Sequence, residues 1–125
     1  MKNKLKISEE ASKQLKFLSN KLDLRRNIIC RIAVAESLNN KKLISSFEPM
    51  DSQGLEFNRY TLTGDQDLLF KSLIIQHEGR KIDEDDFFSV YFRNHIERGL
   101  DTLQKRYQKI NSPVDFLLKL ANTEN

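Results

Sequence analysis

Arg25-Arg26-Asn27-Ile28-Ile29-Cys30-Arg31-Ile32-Ala33-Val34-Ala35-Glu36-Ser37-Leu38 reads as a helix whose apolar residues spread around too much of its circumference for a lone surface helix. Such a segment is either the central core helix or one packed against another subunit, with Arg25, Arg26 and Arg31 at its wet end and edge. Cys30 lies inside the apolar run and has no second cysteine to pair with, so it reads as a small buried hydrophobe.

Upstream of this helix, Leu5 and Ile7 alternate with Lys4 and Lys6, the period of a short half-buried strand. Ser8 followed by Glu9 and Glu10 signals a helix start. Ala11, Leu15, Leu18 and Leu22 then form one stripe, and Lys13, Lys16 and Lys21 lie off it. Downstream, residues 39–55 lack helical periodicity and carry turn formers, as expected of a loop. Residues 56–62, Glu56-Phe57-Asn58-Arg59-Tyr60-Thr61-Leu62, have the aromatic and β-branched content of a strand. Thr63 and Gln66 fit a capping box for a third helix that buries Leu68, Leu69, Phe70, Leu73 and Ile74 and ends at Gly79.

The longest element is expected from Asp83 to about Ile110, because Phe88, Phe92, Ile96, Leu100, Leu103 and Tyr107 keep a three-or-four spacing throughout. Gly99 in its middle costs ~1 kcal/mol relative to Ala, so it marks a bend or a close approach of another backbone. Ser112 and Pro113 are an N-cap and first-turn proline for a short terminal helix, and residues 122–125 are expected to fray. The fold class is mainly α: a compact helical domain of about five helices with one or two short strands near 4–7 and 56–62, residues 1–125 forming one domain. The chain has 125 residues, 38% of them apolar, enough for one modest core.

No apolar run is long enough to span a membrane and the lysine-rich start lacks a signal peptide's apolar region, so a cytoplasmic protein is expected. The net charge of +3 is unevenly divided. Residues 1–42 hold eleven Lys and Arg against four Asp and Glu, a net of +7, whereas residues 43–125 hold ten against fourteen, a net of −4. Lys13, Lys16, Lys21, Arg25, Arg26 and Arg31 could form one patch that pairs with phosphate oxygens largely without regard to base sequence. The other reading is that these lysines only solvate helix faces. Asn27 either donates to a phosphate or satisfies its helix end. Arg59 and Tyr60 read either as a cation and a stacking ring at a strand surface, for nucleic acid, or as sheet packing with a salt bridge.

Signals for catalysis are weak. Asp83-Glu84-Asp85-Asp86 lacks the glycine and distal glutamate of a calcium loop and stands where a helix start favours negative charge. His77 and His95 lie on different expected helices without ligand-spaced neighbours, and read as surface or half-buried structural histidines. The four glycines are too far apart to cradle phosphates. No cofactor or metal is expected.

Asn27-Ile28-Ile29-Cys30-Arg31-Ile32-Ala33, Ser37-Leu38, the string Gly54-Leu55-Glu56-Phe57-Asn58-Arg59-Tyr60-Thr61-Leu62-Thr63-Gly64 and Phe70 together resemble the DndE family of DNA phosphorothioation proteins. The resemblance runs from the Ser8 helix to about Tyr107. It implies a small helical homotetramer that binds DNA, nicked duplex in preference, through surface lysines matching Lys13, Lys16 and Lys21. It further implies work beside a DndA or IscS-like desulfurase, DndC and DndD, partners that carry the sulfur chemistry. Family members usually have a glycine-containing turn between the first two helices, where subunits meet. Here the turn reads Lys21-Leu22-Asp23-Leu24-Arg25-Arg26.

A non-catalytic DNA-binding subunit is therefore the expected function. One alternative reads Leu5 to Leu38 as the strand, helix, helix order of ribbon-helix-helix regulators, with Lys4 and Lys6 facing bases. A second alternative is a DNA nickase.

Overall fold

The computed structural model describes residues 3–48 and 51–122. The N-terminal Met1 and Lys2, Pro49 and Met50 of the expected loop, and residues 123–125 of the expected frayed end lie outside the described residues. Strand β1 (Lys4–Lys6) pairs antiparallel with β2 (Glu56–Asn58), with Leu5 opposite Phe57. Helix α1 (Glu9–Leu22) starts where the sequence indicates: the Ser8 hydroxyl accepts from the Ala11 amide at 3.0 Å, satisfying one of the first-turn donors. The glycine-free turn after α1 is made by Asp23, which takes the left-handed conformation (φ 56°) and donates its amide to the Ser19 carbonyl. Asp tolerates this region better than most residues with a Cβ. Helix α2 (Arg26–Leu38) follows.

The expected loop contains a 3₁₀ turn, Ile44–Ser46, with Ile44 buried. Helix α3 (Arg59–Thr63) corrects the expected strand over 56–62: the ladder ends at Asn58, and Arg59, whose amide still donates to the Asn3 carbonyl at 2.7 Å, opens the helix. The capping box does not form either, since the Thr63 hydroxyl donates back to the Arg59 carbonyl within α3 at 3.0 Å. A 3₁₀ turn (Gly64–Gln66) leads into α4 (Asp67–Glu78), which ends at Gly79. Phe70 and Ile74 of α4 are buried as expected, but Leu68 (75% exposed), Leu69 (52%) and Leu73 point outward. At 100° per residue one helix cannot turn all five to the same side, and the core takes the 70/74 side.

The last third is a continuous helical run: α5 (Glu84–Asp86), a π-helical turn (Phe87–Phe92) and α6 (Arg93–Ile110), with α7 (Pro113–Ala121) after it. The expected stripe from Phe88 to Tyr107 is buried along its whole length. Phe87 is buried as well, and the π turn accounts for it. The wider turn brings Phe87, Phe88 and Phe92 inward together, with ring centroids of Phe88 and Phe92 5.4 Å apart and near-parallel. Five helices of nine or more residues and one two-stranded sheet make the architecture mainly α.

The core sits between α1, α2 and α6. Helices α2 and α6 cross with backbones touching: a Cβ built on Gly99 would lie 1.8 Å from the Ala33 carbonyl oxygen. The close-approach reading of Gly99 is thus the one realised. Beside this crossing Glu97 accepts from the Ser8 amide (2.6 Å) and hydroxyl (2.9 Å), while Arg93 donates to the Lys6 and Asp51 carbonyls. These bonds fasten the start of α1 to α6.

Arg98 donates to the Ser37 hydroxyl and to the Ser37 and Lys42 carbonyls, closing the C-terminal end of α2. The Ser37 hydroxyl accepts from Arg98 and also hydrogen-bonds His95 Nδ1 at 2.8 Å, while His95 Nε2 is buried with no partner among the described residues. His95 is fully buried, and desolvation, reinforced by Arg98 and His77, lowers its pKa to about 3. Neutral His95 therefore contributes stability that is complete above the ordinary histidine pKa near 6.5 and is lost as pH falls toward 3. The slope is about 1.4 kcal/mol per pH unit, so about 2 kcal/mol should be gone by pH 5. Urea unfolding at pH 7.5 and pH 5.0 measures this, and a His95→Gln variant should lose most of the difference.

Candidate nucleic-acid interface

The seven cations marked out by the sequence separate into two groups. Lys13, Lys16 and Lys21 project from α1 into solvent, and Arg25 and Arg26 are exposed at the start of α2. Lys13 and Lys16 border a groove of about 310 Å³ together with Glu9, Ser12 and the segment Gln53-Gly54-Leu55. That segment lies hard against α1: Gly54 donates its amide to the Ile7 carbonyl, Leu55 donates to the Ser12 hydroxyl, and a Cβ on Gly54 would fall 2.1 Å from Ser12 Oγ. Sequence reading passed over Gly54 as a turn former, since only the folded chain brings it to α1. Lys21, one turn further on, stands 5.8 Å over the Phe17 ring.

Arg31 and Arg59 form the second group, and both are held by hydrogen bonds within the chain. Arg31 donates Nε–H to the Leu62 carbonyl at 2.5 Å and Nη2–H to Thr61, tying α2 to α3. Asn27 reaches the same Thr61 carbonyl, at 3.4 Å. Arg59 is only 3% exposed and grips Asp67 through two parallel bonds of 2.8 and 2.7 Å, with a third of 2.7 Å to Glu84. Its guanidinium lies over Phe87 at 5.0 Å and Tyr60 at 5.3 Å. The Asp67 hydrogen bonds raise the Arg59 pKa above its already high ordinary value. Asp67 is held below the usual carboxylate range by Arg59, and Glu84 by Lys71 and then Arg59. The salt-bridge reading of Arg59 is the one realised, and its charge is not at the surface, whereas Arg31 is half-buried with its guanidinium on the Leu62 and Thr61 carbonyls.

Among the described residues, Arg59, Lys71, Arg80, Arg93, Lys105 and Arg106 each meet a carboxylate within 4.0 Å. No such ion pair holds Lys13, Lys16, Lys21, Arg25 or Arg26. The front cations thus keep their charge available to an external anion, while much of the later cationic charge is compensated internally.

Burial raises the Cys30 thiol pKa to about 12, which keeps it protonated and inert. His77 and His95, far apart in the sequence, bring their rings within 5.5 Å at a near-perpendicular angle, and His77 donates Nε2–H to the Asn40 carbonyl. No signal in the sequence links this pair, because it depends on how α4 packs on α6. Among the described residues no group of three or more His, Cys, Asp and Glu side chains converges in a metal-holding arrangement. No helix there is long and apolar enough to cross a membrane.

The model of the family described as DNA sulphur modification protein DndE matches residues 4–111, nearly the whole chain from β1 through α6. The chain belongs to the DndE family. It therefore belongs to the DNA phosphorothioation pathway. The DndE fold is also seen in a crystal structure of DndE from Escherichia coli B7A, described as involved in DNA phosphorothioation modification. That likeness has a TM-score of 0.67 at 19% identity over 82% of this chain and 97% of that one. A glycine-to-lysine DndE mutant, also described as involved in DNA phosphorothioation, aligns with a TM-score of 0.64 at 19% identity, over 84% and 99% of the two chains. Comparison with curated protein sequences finds no match. In this chain β1 pairs with β2, whereas a ribbon-helix-helix arrangement pairs the strand with its copy from a second chain.

Proposed function

We propose that this DndE-family chain is a non-catalytic DNA-binding subunit of the phosphorothioation machinery that engages duplex DNA through the α1 side and prefers nicked duplex. The observation that carries the reading is the set of five exposed cations, Lys13, Lys16, Lys21, Arg25 and Arg26, without carboxylate partners among the described residues. Phosphates are their natural counter-ions, and release of condensed cations would supply the affinity. A nick removes stacking and stiffness at one step, so duplex bent over the α1 face costs less to deform there. The proposal extends to one cytoplasmic domain spanning residues 1–125, assembled as a homotetramer beside DndC- and DndD-like partners that carry the chemistry. The uncharged outer face of α4, with Leu68, Leu69 and Leu73, and its groove against Ala35 and Leu38 suit subunit contact.

Fluorescence anisotropy with intact and nicked duplex, repeated across salt concentrations, tests the reading. About five phosphate contacts give a log-log salt slope near −4 to −5. The Lys13→Glu/Lys16→Glu/Lys21→Glu variant should bind about 100-fold more weakly with its mass in solution unchanged. Affinity equal to the parent would refute the assignment of the face. Relaxation of supercoiled plasmid by the pure protein with a divalent metal would refute the non-catalytic part and favour the nickase.

A further inference from the structure

Glu9, Lys13 and Lys16 stand on successive turns of α1, about 6 and 4.5 Å apart along its axis, and line one side of the groove whose other side is Gln53-Gly54-Leu55. The amides of that wall are already used. Gln53 donates to Asp51 Oδ1 at 2.9 Å, Gly54 to the Ile7 carbonyl at 2.8 Å and Leu55 to the Ser12 hydroxyl at 2.8 Å. Recognition in the groove therefore falls to side chains, the exposed ammonium groups of Lys13 and Lys16 and the exposed amide of Gln53. Charge is ordered along it. Two bases occupy one end, and at the other stands Glu9, whose amide donates to Asp51 Oδ1 at 3.1 Å, so that two carboxylates gather there. Among the described residues no ion pair within 4.0 Å neutralises Glu9 against Lys13.

We propose that this groove binds a terminal phosphate, the phosphomonoester that a nick leaves at a strand end. The inference rests on the DNA-binding reading above and names the group on nicked duplex that the α1 face holds. Charge order decides between a strand end and a continuous strand. Inside an intact strand one phosphate follows another every ~3.4 Å along the duplex axis, so a phosphate seated between Lys13 and Lys16 sends a neighbour toward the Glu9 carboxylate. A strand end has no neighbour on that side. A terminal phosphate also carries close to two negative charges at neutral pH where a diester carries one, and a pair of ammonium groups in one groove matches the larger charge.

Fluorescence anisotropy of the full chain with otherwise identical duplexes tests this: intact, nicked with hydroxyls on both sides, and nicked with a terminal phosphate. The phosphate is placed on the 5′ side in one probe and on the 3′ side in another, which tells the two sources apart. One phosphorylated nick should bind about fivefold more tightly than the hydroxyl nick, the effect of one further unit charge beside an ammonium in water. Lys13→Gln/Lys16→Gln, at exposed positions, should bring that ratio to about one, whereas Lys21→Gln should weaken every probe alike and keep it. Glu9→Gln should strengthen binding of intact duplex more than binding of the phosphorylated nick. Circular dichroism and mass in solution should match the parent throughout. Equal binding of phosphorylated and hydroxyl nicks by the parent, a ratio that survives loss of both lysines, a changed mass in that double variant, or unchanged intact-duplex affinity in Glu9→Gln would each overturn the terminal-phosphate assignment and leave DNA binding in place. No binding of any probe by the parent would remove the DNA-binding reading itself, and this inference with it.

Discussion

Replacing Arg59 by Ala should lower the unfolding free energy by about 3–5 kcal/mol, the cost of removing one member of a buried ion pair and leaving the other. Asp67 would lose both of its guanidinium bonds and Glu84 one of two cationic partners. The aromatic faces of Phe87 and Tyr60 would lose the cation they cover. The expected readout is a fall in the urea midpoint with little change in slope. Arg59→Lys should recover only part of the loss, because an ammonium cannot reproduce the fork that meets both Asp67 oxygens. A loss of nicked-DNA affinity with stability unchanged would instead place Arg59 at the DNA surface.

Gly99→Ala should be of similar size, at the upper end of the 1–3 kcal/mol typical of overpacking or about 4 kcal/mol. The added methyl would meet the Ala33 carbonyl at 1.8 Å, and what it meets is backbone in a central helix, which has no rotamer with which to yield. The usual helix-propensity gain from glycine to alanine, about 1 kcal/mol, is too small to offset this. Thermal unfolding with matched circular dichroism checks it. Equal or higher stability in the variant would mean that the two helices separate without cost.

The parts of the fold that were legible in sequence are those governed by period and local capping. The stripe from Phe88 to Tyr107 kept helical spacing and is buried; Ser8, Gly79 and Ser112 stand at helix ends as their chemistry indicates. The π turn broke the period, which is why Phe87 fell outside the expected stripe. Residues 59–62 were misread because aromatic and β-branched content describes a half-buried surface as readily as a strand, and Arg59 turns inward to its carboxylates. The front lysines were legible as exposed because they lie off the apolar line of α1. Arg31 and Arg59 were not separable from them, since whether a cation faces solvent or an internal carbonyl or carboxylate depends on contacts between distant segments. The same holds for His77 beside His95.

The contact between Ala33 and Gly99 also limits how α2 and α6 can move against each other. With main chain against main chain there is no methylene to slide or repack, so a shift of either helix along the other requires the two backbones to part first.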